Sequence, residues 1–153
     1  MNTTDIDIKS FPVTIRQPVQ WGEQDGFGHI NNMYFIRWFE SARIAYLRNC
    51  GVQLTAEGIG PILAAVNCNY RKQVKYPCSV IVGSRITAIG RSSMSMEHAL
   101  WIETKDGQVG DLAANGNSTV VMFNYHQEKT VAVSNEIVAE IERLEGRRLK
   151  EAN

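Results

Sequence analysis

Hydrophobic spacing changes period along this chain, and each change marks an element. From Val13 to Trp21 the β-branched residues Val13, Thr14, Ile15 and Val19 predict an opening strand, which Pro18 pushes towards a sheet edge or a bulge. From Asn31 to Asn49 the apolar residues Phe35, Trp38, Phe39, Ala42 and Tyr46 recur every three or four positions, the period of a helix. Met33, Tyr34, Ile36, Ile44 and Leu47 place further apolar groups on its other sides. A helix that is apolar on several faces has to be wrapped. Asn31 or Asn32 supplies its N-cap oxygen, and Gly51 stands where a left-handed C-terminal cap is expected. Such a helix is roughly 28 Å long, the width of a small domain.

From Pro61 to Tyr125 the chain reads as strands separated by turns: Ile62 to Tyr70, Val80 to Ile89, Met94 to Thr104, and Val109 to Tyr125. Met94, Met96, His98, Leu100 and Ile102 alternate with Ser95, Glu97, Ala99, Trp101 and Glu103, the period of two that gives a strand two different faces. Lys105-Asp106-Gly107-Gln108 predicts a hairpin turn of type I′. Small residues at Ala113, Ala114 and Gly116 predict a bulge or a close backbone approach that lets the sheet curl around the helix. Ser134 to Leu144, with Ile137, Val138, Ile141 and Leu144 on one face and Ser134 as N-cap, predicts a closing helix, and Arg147 to Lys150 reads as a solvated tail. The order β-α-β-β-β-β makes this an α+β chain, a curled antiparallel sheet around a long helix.

Composition narrows the function classes. The 153 residues fit one domain, and 44% hydrophobic with 21% charged residues is globular composition. Sixteen Lys and Arg balance sixteen Asp and Glu, so no field gathers a nucleic-acid backbone, and nucleic acid is not expected as a partner. A small phosphorylated ligand needs only two or three donors and stays open. The first ten residues lack the apolar region of a secretory signal, and no apolar run reaches the ~20 residues that span a bilayer, which predicts a cytoplasmic protein with no membrane association. Cys50, Cys68 and Cys78 match no zinc or redox spacing and read as small buried hydrophobes. His29, His98 and His126 share no ligand spacing, so neither a metal nor a cofactor is expected.

Candidate chemistry concentrates between Trp21 and Asn32, where Glu23, Asp25, three glycines, His29, Asn31 and Asn32 precede the wrapped helix. A helix start offers unpaired N–H groups and the positive end of the macrodipole, which together stabilise an oxyanion. A carboxylate a few residues upstream serves as a base for water or as a nucleophile on a carbonyl. The structural alternatives are plain: Asp beside Gly forms turns, His29 can hold the loop, and the asparagines cap the helix.

The run Trp-x-Glu-x-Asp-x-x-Gly-His-Ile-Asn-Asn-x-x-Tyr-x-x-x-Phe-Glu-x-Ala-Arg, Trp21 to Arg43, resembles the hot-dog thioesterases related to 4-hydroxybenzoyl-CoA thioesterase. The resemblance implies a hot-dog fold, a five-stranded sheet around the central helix, and hydrolysis of an acyl-CoA to free acid and CoA. It places Asp25 at the catalytic carboxylate and the backbone N–H of Asn32 at the thioester carbonyl. His29 and Tyr34 are then expected against the substrate. Glu23 stands where the family usually has a second Asp, and Glu40, in a position other branches use, is expected to pair with Arg37 or Arg43. For the phosphates of CoA the turn Arg91-Ser92-Ser93 is the preferred candidate, with Arg71 and Lys72 second. A homodimer or homotetramer is implied, because the cleft of a single curled sheet is open on one side. An acyl-CoA or acyl carrier protein binding module without turnover is the alternative. A dehydratase of this fold needs a facing histidine and carboxylate pair that the sequence does not place.

Overall fold

The computed structural model describes residues 6–150. The described elements are β1 (Val13–Pro18), α1 (Asn32–Asn49), β2 (Ile59–Val66), β3 (Asn69–Tyr70), β4 (Ser79–Ile89), β5 (Ser93–Glu103), β6 (Val109–Asn124), β7 (Lys129–Thr130) and α2 (Asn135–Glu145). All strand pairs are antiparallel, and the main path runs β1-β4-β5-β6-β2. The expected hot-dog arrangement is present, with a correction to the strand count: β3 and β7 also pair with β6, giving seven strands. The single strand expected over Ile62 to Tyr70 is therefore two. The hairpin at Asp106-Gly107 is not type I′ either, because Gly107 alone takes a positive φ, 77°, whereas that turn needs two. The loop closes instead through Gly107 N–H to the Thr104 carbonyl and Thr104 N–H to the Gln108 carbonyl, both 2.9 Å.

Asn31 caps α1, its Oδ1 accepting from Met33 N–H at 3.0 Å, and Gly51 past the other end has φ 74°. The apolar residues of α1 divide the core lengthwise. Phe35, Trp38, Phe39 and Ala42 pack with Val80, Val82, Leu100 and Ala114, while Tyr46 and Leu47 pack with Ile86, Met94, Met96 and Val120. Between these halves lies a buried polar row. The two ring nitrogens of His98 each sit 2.7 Å from a serine hydroxyl, Nδ1 from Ser84 and Nε2 from Ser118, and the ring stacks on Phe39 with centroids 5.1 Å apart. Burial, and then the nearby Arg43 charge, push the imidazole down to about 3.

Gly116 shows why the sheet needs a small residue over this row. A Cβ there would lie 2.1 Å from the Asn67 carbonyl oxygen and 2.9 Å from the Phe39 ring. The outer face of the sheet is covered at one end, where Phe11 meets Trp101 edge to face at 5.5 Å. That contact explains why Ala99 and Trp101, on the polar-looking phase of β5, are buried.

Helix α2 starts on Ser134, whose Oγ accepts from Ile137 N–H at 3.2 Å, and it ends against the sheet. There one oxygen of Glu145 accepts from the Tyr46 hydroxyl at 2.6 Å and from Ile86 N–H at 2.8 Å. The tail after α2 is not simply solvated: Glu142 accepts from the amides of Leu149 and Lys150, Leu149 packs on the core, and Lys150 bridges to Ile89. No helix among the described residues is long and apolar enough to cross a membrane.

Candidate active site

Backbone hydrogen bonds fold the segment before α1 into a compact platform. Gln20 to Gln24 form a short 3-10 turn in which the Glu23 carboxylate accepts from Gln20 N–H at 2.7 Å, while the Glu23 carbonyl accepts from Asn31 N–H at 2.9 Å. Glu23 is thus a brace between the turn and the helix start. Asp25 N–H donates to the His29 carbonyl at 2.9 Å and Gly28 N–H returns to the Asp25 carbonyl at 3.1 Å, with Gly28 at φ 76°. Only a residue that tolerates this left-handed backbone closes the loop so tightly. Ile30 N–H, bonded to the Val74 carbonyl at 2.9 Å, ties the platform to the segment following β3.

This folding brings Asp25, His29 and Asn32 to one cleft of about 370 Å³, which Phe27, Phe35, Tyr70, Arg71, Lys72 and Gln73 also line. One oxygen of Asp25 accepts from Phe27 N–H at 2.9 Å, the turn-forming role that its neighbour Gly26 suggested. In the first turn of α1 the amides of Met33 and Tyr34 are taken by the Asn31 side chain and carbonyl, both at 3.0 Å. The Asn32 amide has no hydrogen-bond partner among the described residues. A free amide at a helix N-terminus beside a carboxylate is the arrangement that acyl transfer uses.

Tyr70 is the residue that the sequence did not single out. Its hydroxyl donates to the Asn32 carbonyl at 3.0 Å and its ring meets Phe35 edge to face at 5.1 Å, so it fixes the first turn of α1 from across the cleft. Burial, followed by the Cys68 thiol, raises its phenol, which therefore stays protonated and keeps donating. In sequence Tyr70 was only the end of a strand, and no spacing links it to Asn32. Arg71 and Lys72 reach the cleft through the bulge in β6, where pairing shifts between Leu100–Ala114 and Trp101–Leu112. The freed Ala113 carbonyl accepts both their amides, at 2.8 and 3.0 Å. Arg71 Nε donates to Asn115 at 3.0 Å, and the Lys72 ammonium pairs with Asp111. The same residues border an adjoining cleft of about 730 Å³ that also holds Lys75, Cys78 and Glu103.

Other expected site residues lie elsewhere. Tyr34 is half-buried, its ring leaning on Trp38 at 6.4 Å, and it does not line the cleft. Arg91 and Ser92 sit in the β4–β5 turn and Ser93 opens β5, beside the core half built on the C-terminal end of α1. Their backbone holds β6 and the segment before α2, with the Ser92 and Arg91 carbonyls accepting from Met122 and Val133 N–H at 2.8 and 2.9 Å. Within one chain they do not meet the Asp25 cleft. Among the described residues, no three His, Cys, Asp or Glu side chains converge as a metal site.

Comparison with known proteins gives concordant results. A family model described as the thioesterase-like superfamily matches residues 19–141. The Bacillus subtilis (strain 168) protein YsmA is 27% identical over 89 residues, 58% of this chain, and the chain spans 60% of that relative's length. A Thermus thermophilus thioesterase crystallised with coenzyme A and Zn is 28% identical, with a TM-score of 0.78 over 92% of this chain and 99% of that one. Two further structures share the fold. DHNA-CoA thioesterase from Staphylococcus aureus has a TM-score of 0.74 at 20% identity, covering 92% of this chain and 98% of that one. A mutant 4-hydroxybenzoyl-CoA thioesterase complexed with 4-hydroxybenzoyl-CoA has a TM-score of 0.75 at 18% identity, covering 84% and 97%.

Proposed function

Because the chain belongs to the thioesterase-like superfamily, we propose that it hydrolyses the thioester of an acyl-CoA to free acid and coenzyme A. The observation that carries this reading is the shared cleft of Asp25 and the unpaired Asn32 amide. The Asp25 oxygen not engaged by Phe27 acts on the thioester carbonyl, either directly as nucleophile or by taking a proton from the attacking water. Both routes put negative charge on the carbonyl oxygen. The Asn32 N–H and the helix dipole behind it stabilise that charge. Phe27, Phe35 and Tyr70 offer the acyl group an apolar wall, and His29 contributes to the rim.

Asp25→Asn keeps the shape and the turn but removes basicity and nucleophilicity, so turnover should fall by about 10²-fold or more with the fold intact. Glu23→Gln, in a brace, should cost far less. Activity of Asp25→Asn within a few-fold of wild type rejects the assignment, and retained acyl-CoA binding without any turnover in the wild type identifies a binding module instead.

The cations beside Asp25 in the same chain are Arg71 and Lys72, and they take the coenzyme's phosphates in this reading. Loss of a charge-assisted hydrogen bond worth ~1.5–3 kcal/mol should raise KM roughly ten- to a hundredfold in Arg71→Ala, leaving kcat nearly unchanged. Hydrolysis of an acyl-pantetheine, which lacks the nucleotide, should not respond to the substitution. Arg91→Ala in the same assay raises KM only where the Arg91-Ser92-Ser93 turn of a second subunit reaches the coenzyme.

A further inference from the structure

Hydrogen bonds hold the groups on either side of the free Asn32 amide. Asn31 N–H donates to the Glu23 carbonyl at 2.9 Å, and the Asn31 carbonyl, in the same peptide plane as the Asn32 N–H, accepts from Tyr34 N–H at 3.0 Å. The Asn31 side chain accepts from Met33 N–H at 3.0 Å. These bonds close within the platform and the first turn of α1, so they set the shape of the turn and not its aim. Ile30 N–H on the Val74 carbonyl anchors the platform behind it. Beyond that anchor, among the described side chains, Tyr70 alone hydrogen-bonds to the turn from a strand, its hydroxyl donating to the Asn32 carbonyl at 3.0 Å.

Tyr70 is itself held on several sides. It pairs with Ala114 of β6, its ring meets Phe35 edge to face at 5.1 Å, and the amides of Arg71 and Lys72, next in the chain, donate to the Ala113 carbonyl. A carbonyl in a helix accepts one bond from four residues on and keeps a second lone pair for an outside donor, so Tyr70 adds a contact without unmaking one of the helix. An oxyanion donor works by being aimed before the charge forms. We propose that Tyr70 is a positioning residue: through its hydroxyl on the Asn32 carbonyl it aims the Asn32 N–H at the carbonyl oxygen of the bound thioester. This role rests on the hydrolysis proposed for the Asp25 cleft. Because the hydroxyl is spent on the backbone, its contribution appears in the transition state and not in the binding of the substrate.

Tyr70→Phe removes the hydroxyl and keeps the ring against Phe35. In steady-state hydrolysis of an acyl-CoA by the full chain, kcat should fall about tenfold, between the loss of one neutral hydrogen bond and the roughly hundredfold cost of a ~1 Å misplacement, with KM within about twofold of wild type. Two analogues that are not hydrolysed separate aiming from general disturbance of the fold. One carries a trifluoromethyl ketone in place of the thioester, whose hydrate presents a tetrahedral oxygen; the other is a thioether with no carbonyl oxygen. By isothermal titration, Tyr70→Phe should weaken the ketone by about tenfold and leave the thioether unchanged. A kcat within about twofold of wild type, a loss confined to KM, or equal weakening of the two analogues overturns the proposal. If the wild type binds both analogues but turns over no acyl-CoA, the hydrolysis read for Asp25 fails, while the ratio of ketone to thioether affinity in Tyr70→Phe still decides whether Tyr70 aims the amide.

Discussion

Neutral, the His98 ring between Ser84 and Ser118 donates through one nitrogen and accepts through the other, and burial disfavours its charged form. In the folded chain its pKa is held down to about 3, against about 6.5 when unfolded. The unfolded state therefore binds the extra proton between these values, and stability is full above pH 6.5 and lost as pH falls through that window. Urea unfolding should show a slope approaching about 1.4 kcal/mol per pH unit between pH 6 and 4 from this group. His98→Gln, which keeps a donor and an acceptor without titrating, should flatten it; an unchanged slope shows that other groups dominate. Residues of this kind mark the limit of sequence reading. Asp25 and Asn32 were legible because their loop is contiguous and carries a specific motif. The partners of His98, the brace on Glu23 and the reach of Tyr70 to Asn32 depend on strand register and loop packing, which no local spacing encodes.

Among the elements, the best-read boundaries were those fixed by local chemistry, as at the Asn31 and Ser134 caps and at Gly51. The bulge expected near Ala113 is present for the same reason, since a small residue permits it. Two-residue strands have no periodicity to detect, so β3 is read as the end of β2 and β7 is not read at all, and the turn type at Asp106 follows the commoner pairing where a longer loop formed. The attachment of α2 is the element-level contact with the largest expected effect. Ser134→Ala removes one cap and should cost about 1 kcal/mol in urea unfolding. Glu145→Ala leaves both the Tyr46 hydroxyl and Ile86 N–H without their acceptor, each worth about 1–3 kcal/mol when buried, and should cost clearly more. Equal losses in the two variants would show that water replaces Glu145 at no cost.

Among the described residues the main path of the sheet ends on β1 and β2, and β2 presents Ile59, Ile62 and Leu63 at 40–49% exposure. An apolar open edge invites pairing, so sedimentation at micromolar concentration should show a dimer or tetramer and no major monomer. A fully active monomer would contradict a site completed by a second subunit. At this scale the period of the strands foretold a sheet wrapped on a helix but not the covering of its outer face by Phe11, because that contact joins residues ninety positions apart. The Ala113 carbonyl carries a wider implication. It grips Arg71 and Lys72 by their amides, an anchor of the cleft wall that does not depend on the contacts their side chains make with Asn115 and Asp111. Mutation that keeps the backbone N–H can therefore change the two cations while this backbone anchor remains. In evolutionary terms this separates what the scaffold must inherit from what a new ligand requires, and it lets descendants of one gene diverge in preference without first surviving a loss of fold.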